Sequence, residues 1–183
     1  MLWIISGPSS IGKSTFIRSD RSFAVTGLRP ETPVLKPKNK PGLDPRLIGD
    51  TDCFVHYNIL RPVSLFAKRE ATEGTTPERY RTRSTQFNTD PWWAELCERS
   101  GDKQAIVMVA DRTTILNRAS ARPDYKIDYW QRLYSKLRVS EIYRAWCSEL
   151  DRRRIPLVFV DATNMAYPTL DADAAFTIIN RNS

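Results

Sequence analysis

The sequence contains no apolar run approaching the roughly 20 residues that cross a bilayer. Its one early apolar stretch, Leu2 to Ile5, has no basic residues ahead of it and is far too short for a secretory leader. Both absences lead to the expectation of a cytoplasmic protein. Histidine is almost missing, and His56 is the only one. Cysteine is scarce too. Cys53, Cys97 and Cys147 make an odd set without metal-ligand spacing, which reads as buried reduced thiols rather than a metal or disulfide framework. No internal repeat, low-complexity segment or familiar nucleic-acid-binding signature stands out. What remains is an ordinary balance: 183 residues, 41% hydrophobic and 27% charged, which fits one domain with a sizeable core.

The net charge of +7, from 28 Lys+Arg against 21 Asp+Glu, admits two explanations. A basic surface attracts nucleic acid, whereas excess arginine lines a pocket for phosphorylated small molecules. The basic residues are spread along the chain rather than gathered in a tail. The pocket is the preferred reading, and nucleic acid is not the expected partner.

Met1 to Ser6 reads as a fully buried first strand. A loop, Gly7-Pro8-Ser9-Ser10-Ile11-Gly12-Lys13-Ser14, follows it, and Ser14 to Asp20 reads as the start of a helix. Arg29 to Arg46 carries five prolines and is mostly loop, with a short strand at Val34 to Lys36. Cys53 to Tyr57 is a second strand, followed by a helix from Ile59 to about Arg69 and a linker at Glu73 to Thr76. Pro91 to Arg99 is an amphipathic helix capped by Asp90. Ala105 to Ala110 is the cleanest buried strand, and Thr113 to Ala121 a helix after it. Ile127 to Arg152 reads as one long helix with Trp130, Leu133, Leu137, Ile142, Trp146 and Leu150 facing the core. Pro156 to Val160 is another buried strand, and Phe176 to Ile179 a last helical turn or small strand. Strands alternating with helices imply a three-layer α/β/α arrangement around a parallel sheet.

The loop carries the chemistry. A triphosphate concentrates negative charge, and backbone N–H groups meet it only where the chain wraps closely, so Gly7 and Gly12 are physically required. Ser9, Ser10 and Ile11 lie along the wrap, and the positive end of the following helix adds field. Lys13 is expected to reach the β- and γ-phosphates, the Ser14 hydroxyl to bind Mg²⁺, and Thr15 to touch the α-phosphate. The implied cofactors are ATP and Mg²⁺.

On Gly7 to Thr15, and on the later pattern of a buried strand, Asp111-Arg112-Thr113-Thr114-Ile115-Leu116-Asn117-Arg118 with Arg122 beyond, and Leu157 to Val160 followed by Asp161-Ala162-Thr163, the chain resembles the P-loop kinases of the nucleoside monophosphate kinase group. That resemblance implies the P-loop nucleoside triphosphatase fold. It also implies an arginine-bearing helical lid over about 112–135, with Arg118 and Arg122 four apart on one face, and a loop after the fifth strand in which Asp161 and Thr163 help to hold the base. The chain departs from the family where an acid normally closes the strand beside the first one, because here that strand ends in His56-Tyr57-Asn58. Asp111 follows a better acid-ending strand, yet the family's strand order places it on the wrong one.

In an open parallel sheet ligands sit at the carboxyl ends of the strands. That rule selects His56 as a candidate acid or base, against its commoner role as a structural hydrogen-bonding residue. Asp50 is a candidate metal ligand if the second strand starts early; with Asp52 it otherwise lies at the amino end. Arg79, Arg81 and Arg83 alternate and would share one side of an extended segment, or form a basic loop. Trp92, Trp93, Trp130 and Trp146 read as core.

The leading expectation is therefore an ATP-dependent kinase acting on an anionic or hydroxyl-bearing small molecule. A sulfotransferase-like enzyme would suit a basic pocket with a rim histidine, but such enzymes lack the Gly-Lys-Ser ending. A nucleotide-dependent switch would carry an Asn-Lys-x-Asp base-reading element, and Asn39-Lys40-Pro41-Gly42 lacks its aspartate.

Overall fold

The computed structural model describes residues 1–36, 51–63, 77–121, 131 and 134–181. Their elements are β1 (Leu2–Gly7), α1 (Lys13–Ile17), α2 (Asp20–Thr26), β2 (Val34–Leu35), β3 (Cys53–Asn58), α3 (Pro77–Ser84), α4 (Pro91–Glu98), β4 (Lys103–Val109), α5 (Arg112–Ser120), α6 (Val139–Arg152), β5 (Leu157–Asp161), β6 (Thr169–Leu170) and α7 (Ala172–Asn180). The sheet order is β2-β3-β1-β4-β5-β6. Among the described strands only β6 runs antiparallel, against β5. The chain is thus α/β with a mostly parallel six-stranded sheet, compatible with three layers.

All six residues of β1 are buried, as are the last five of β4. Continuous apolar runs rather than alternation suit strands covered on both faces. β1 is central, in register with β3 through Ile5–His56 and Gly7–Asn58 and with β4 through Ser6–Val107. One face is covered by α6. Trp146 stacks on Tyr57 with ring centroids 4.8 Å apart and meets Trp93 at 4.6 Å. Its indole N–H donates to Ser6 Oγ at 2.9 Å, and Ser6 Oγ donates to the Ile106 carbonyl at 3.1 Å. The expectation that Trp93 and Trp146 belong to the core holds, since both are fully buried. Alternation places His56 on the opposite face, toward α1.

Several boundaries differ from the sequence-based expectation. The helix after the loop is two helices, because Ser19 leaves the helical region (φ −95°, ψ 154°) and its hydroxyl caps α2 by accepting from Ser22 N. The long helix expected from Ile127 is interrupted before Val139: Gln131 and Tyr134 are helical, with Ser135 N donating to the Gln131 carbonyl at 3.0 Å, and a new helix, α6, starts at Val139. Leu137 N donates back to the Tyr134 carbonyl at 3.2 Å, a turn, and Arg138 is extended. Apolar spacing does not register a backbone reversal that keeps Leu137 and Ile142 in the same core. Trp130 and Leu133 lie outside the described residues, as do 73–76 and the helix expected beyond 63. The last segment is a full helix, α7, capped by Asp171, and β6 was not foreseen. Arg79, Arg81 and Arg83 lie on helix α3, so Arg81 is turned about 200° from each of the other two, while Arg79 and Arg83, four apart, share one face. All three cysteines are free, with Cys53 buried. No helix among the described residues is long and apolar enough to cross a membrane.

Candidate functional site

The carboxyl ends of β1, β3, β4 and β5 share one edge of the sheet. The loop from Gly7 to Gly12 leaves the central one. Gly7 has φ +149°, and a Cβ there would lie 3.0 Å from the Met108 carbonyl oxygen and 3.2 Å from Ile11 Cγ2. Gly12 has φ +103° and starts α1 without a side-chain cap. Ser10 is also left-handed, at φ +63°. Positive φ at residues 7, 10 and 12 lets the loop wrap closely, the kind of backbone that can form an anion-binding concavity.

Lys13 is the first residue of α1, yet it is only 3% exposed. Its ammonium folds back and donates to the carbonyls of Gly7 at 2.8 Å and Pro8 at 2.6 Å. Burial alone lowers its pKa to about 7. The Ser10 hydroxyl is buried and has no hydrogen-bond partner among the described residues. Such a group costs roughly 1–3 kcal/mol unless a ligand or water completes it.

A cavity of about 340 Å³ lies against this loop, lined by Ser9, Ser10, Gly12, Lys13, Ser14, Thr15, His56, Arg118, Met165 and Tyr167. No carboxylate is among its described lining residues. Burial holds His56 at a pKa of about 3, and the charges of Lys13 and then Lys36 act in the same direction. It is a neutral imidazole at physiological pH. Asn58, at the tip of β3, donates to Ser9 Oγ at 3.0 Å while its carbonyl oxygen accepts from Leu60 N. It braces the loop from the neighbouring strand.

Arg118 projects from α5 to the same place. One guanidinium nitrogen donates to the Ile11 carbonyl at 3.0 Å and to the Ala162 carbonyl at 2.6 Å, and the other to the Thr163 carbonyl at 3.3 Å. It ties the loop at Ile11 to the segment after β5 while facing the cavity. Arg122 and Asp50 lie outside the described residues, as do 122–130 and 132–133 of the expected lid. Asp161 accepts from both the amide and the hydroxyl of Thr163, at 2.7 and 2.6 Å. These two side chains close a turn on each other, and it is Met165 and Tyr167, farther along, that reach the cavity. Asp111 lies at the end of β4, which is β1's other neighbour. Partial burial raises its pKa, but hydrogen bonds from the Thr114 hydroxyl and amide outweigh this and lower it. It caps α5. Asp52 pairs with the amino terminus at the far edge, at 2.8 Å.

Magnesium takes oxygen ligands. The cavity offers the Ser14 hydroxyl, and no group of three or more His, Cys, Asp or Glu suited to a metal occurs among the described residues. A magnesium ion here would have the Ser14 hydroxyl as one oxygen ligand and would need its others from elsewhere. Asn58, Met165 and Tyr167 carry no motif. The position of Asn58 after an apolar strand was the only available signal for it, and the reach of Tyr167 depends on a turn with φ +49° that sequence does not reveal.

No protein-family model matches the chain, and no curated protein matches it.

Proposed function

We propose that the chain binds a nucleoside triphosphate on the loop Gly7 to Thr15 and transfers its terminal phosphoryl group to a small-molecule acceptor, as an ATP-dependent kinase of P-loop type. The observation that carries this is Lys13. It is a buried ammonium at the start of α1, with two loop carbonyls as its partners and no carboxylate among the described residues lining its cavity. A buried cation without a counter-charge is unfavourable, and a polyanion removes the cost. The sheet order, with the loop between the central strand and a helix, supports the same reading.

In this reading backbone N–H groups and the start of α1 hold the phosphate chain, and Lys13 turns from the loop carbonyls to the β- and γ-phosphates. Arg118, Met165 and Tyr167 lie on the β4–β5 side of the loop, where the nucleoside end is accommodated. His56 lies on the β3 side, where the acceptor enters. The acceptor oxygen bonds to the γ-phosphorus as the bridging P–O bond breaks. The electron pair leaves on the diphosphate, and the acceptor's proton passes to solvent. Magnesium, held by Ser14 and phosphate oxygens, would neutralise charge on the phosphate chain.

The test is calorimetric titration of the protein with Mg²⁺ and a non-hydrolysable ATP analogue, beside Lys13→Ala. Binding lost in the variant supports the site and justifies screening acceptors by ATP consumption. Absence of binding in the wild type refutes the triphosphate reading. A sulfonucleotide is then the next titrant, favoured by a rim that offers histidine and asparagine instead of an acid.

A further inference from the structure

We infer that a second cavity, framed by α5, α6 and α7, is a binding site for a small acid with an apolar body, a single ring or branched chain carrying one carboxylate. It shares no described lining residue with the loop cavity, and it stands whatever the loop binds.

The cavity measures about 230 Å³ and lies just past the end of β4, where Ala110 lines it. Its apolar walls are Ile115 of α5, Leu137 ahead of α6, Val139 at the start of α6 and Ile179 near the end of α7. Ile115, Leu137 and Ile179 are buried members of the core, so packing on their other sides holds the walls apart. The volume falls below the roughly 300–1,000 Å³ of drug-sized pockets and suits a single ring or branched chain.

Two arginines reach the same space, Arg112 from the first position of α5 and Arg138 from the residue that precedes α6. Arg112 is half-buried, and no hydrogen bond or ion pair engages its guanidinium among the described residues. The adjacent Asp111 is taken up by Thr114. Arg138 meets Glu141 at 2.8 Å, but both side chains are exposed, and such a pair is weak. Each arginine stands at the positive end of a helix, where the dipole disfavours a cation. No carboxylate is among the described lining residues, and the Ser140 hydroxyl adds a donor. A carboxylate between the arginines relieves both and accepts from a planar guanidinium fork, while its hydrocarbon body displaces water from the apolar walls. A neutral ligand leaves Arg112 unpaired, and a bare anion leaves the walls wet.

The experiment titrates benzoate, benzamide and acetate into the full-length, isotope-labelled chain and follows backbone amide shifts by NMR. Benzoate should saturate in the millimolar range, with shifts centred on Ile115, Leu137, Ser140 and Ile179. Benzamide keeps the ring without the charge, and acetate the charge without the ring. Each should bind about tenfold more weakly than benzoate. Arg112→Gln should weaken benzoate about fivefold, and Arg112→Lys less, since a point charge replaces the fork. Arg154→Gln, at the amino edge of the sheet, should change nothing. Amides away from the cavity report that each variant keeps its fold. Benzoate affinity should be the same with and without Mg²⁺ and a non-hydrolysable ATP analogue. Benzamide or acetate binding as tightly as benzoate overturns the site, as does benzoate binding indifferent to Arg112→Gln. Shifts centred on Lys13 and Ser14 that the analogue suppresses place benzoate in the loop cavity and overturn it too. So does the absence of any saturable shift. A chain that binds no analogue but takes benzoate through Arg112 fails the triphosphate reading and upholds this site.

Discussion

Replacing Asp90 tests how the β3 side of the cavity is held up. Asp90 is fully buried and has three partners. Its carboxylate accepts from Tyr57 Oη at 3.0 Å, from Arg61 Nε at 2.8 Å and from Trp92 N at 3.2 Å, the last as the cap of α4. Arg61 follows β3 and Tyr57 lies within it, between His56 and Asn58, so this one carboxylate joins α4 to the strand that shapes the rim. Asp90→Ala removes a cap worth about 1 kcal/mol. It also leaves the Tyr57 hydroxyl without this acceptor inside the core, at roughly 1–3 kcal/mol. Removing the carboxylate that faces Arg61, a side chain only 15% exposed, belongs to the class of broken buried pairs that cost about 3–5 kcal/mol. These contributions overlap, and the expected total is about 4 kcal/mol. Asp90→Asn keeps the volume and the cap and should lose roughly half of that. Urea unfolding followed by tryptophan fluorescence reads the loss as a shifted midpoint at constant slope, because Tyr57 stacks on Trp146. A double-mutant cycle with Arg61→Leu isolates the pair. A cost for Asp90→Ala within about 1 kcal/mol of zero would refute the account, since no buried carboxylate with three donors is removed so cheaply.

Other outcomes follow from the same geometry. The folded pKa of Lys13, about 7, lies below its ordinary 10.5, so the folded state binds fewer protons than the unfolded state between those values. The contribution of Lys13 to stability should therefore rise with pH across that window. The stability difference between wild type and Lys13→Met in urea should move in the wild type's favour by about 3 kcal/mol from pH 6.5 to 9.5, and a flat difference would show an unperturbed lysine. Gly7→Ala, strained at φ +149° and pressed to 3.0 Å from the Met108 carbonyl, should lower stability by about 1–3 kcal/mol and abolish analogue binding in the same titration. Arg118→Lys loses the planar fork that reaches three carbonyls. It should weaken analogue binding about tenfold by calorimetry, since one ammonium does not span Ile11 and Thr163 together. Burial pushes the Cys97 and Cys147 thiols up to about 11. A thiol reagent at pH 8 should therefore label them far more slowly than the unfolded chain, and equal rates would place them in water.

Much of this arrangement was written locally. A buried run, glycines at 7 and 12, and a lysine before two hydroxyls specify a strand, a wrapped loop and a helix start, because each depends on neighbours in sequence: steric freedom, backbone donors and burial. The capping of α4 by Asp90 and the cores of β4 and β5 were legible for the same reason. The break at Ser19, the turn before Val139 and the helical state of Arg79 to Arg83 were not. There, helical spacing or alternation continues through a change of backbone direction that only a local cap or tertiary packing decides.

The sequence by itself determined that residues 7–15 form a strand end, a closely wrapped loop and a helix start, since each depends on neighbours within one segment. Only the tertiary structure decided what surrounds them. Parallel pairing of strands distant in sequence brings His56 and Asn58 to the loop from β3, Arg118 from α5, and Met165 and Tyr167 from beyond β5. Sheet order and register are long-range choices, fixed by how buried faces pack together, and no spacing within a single segment encodes them.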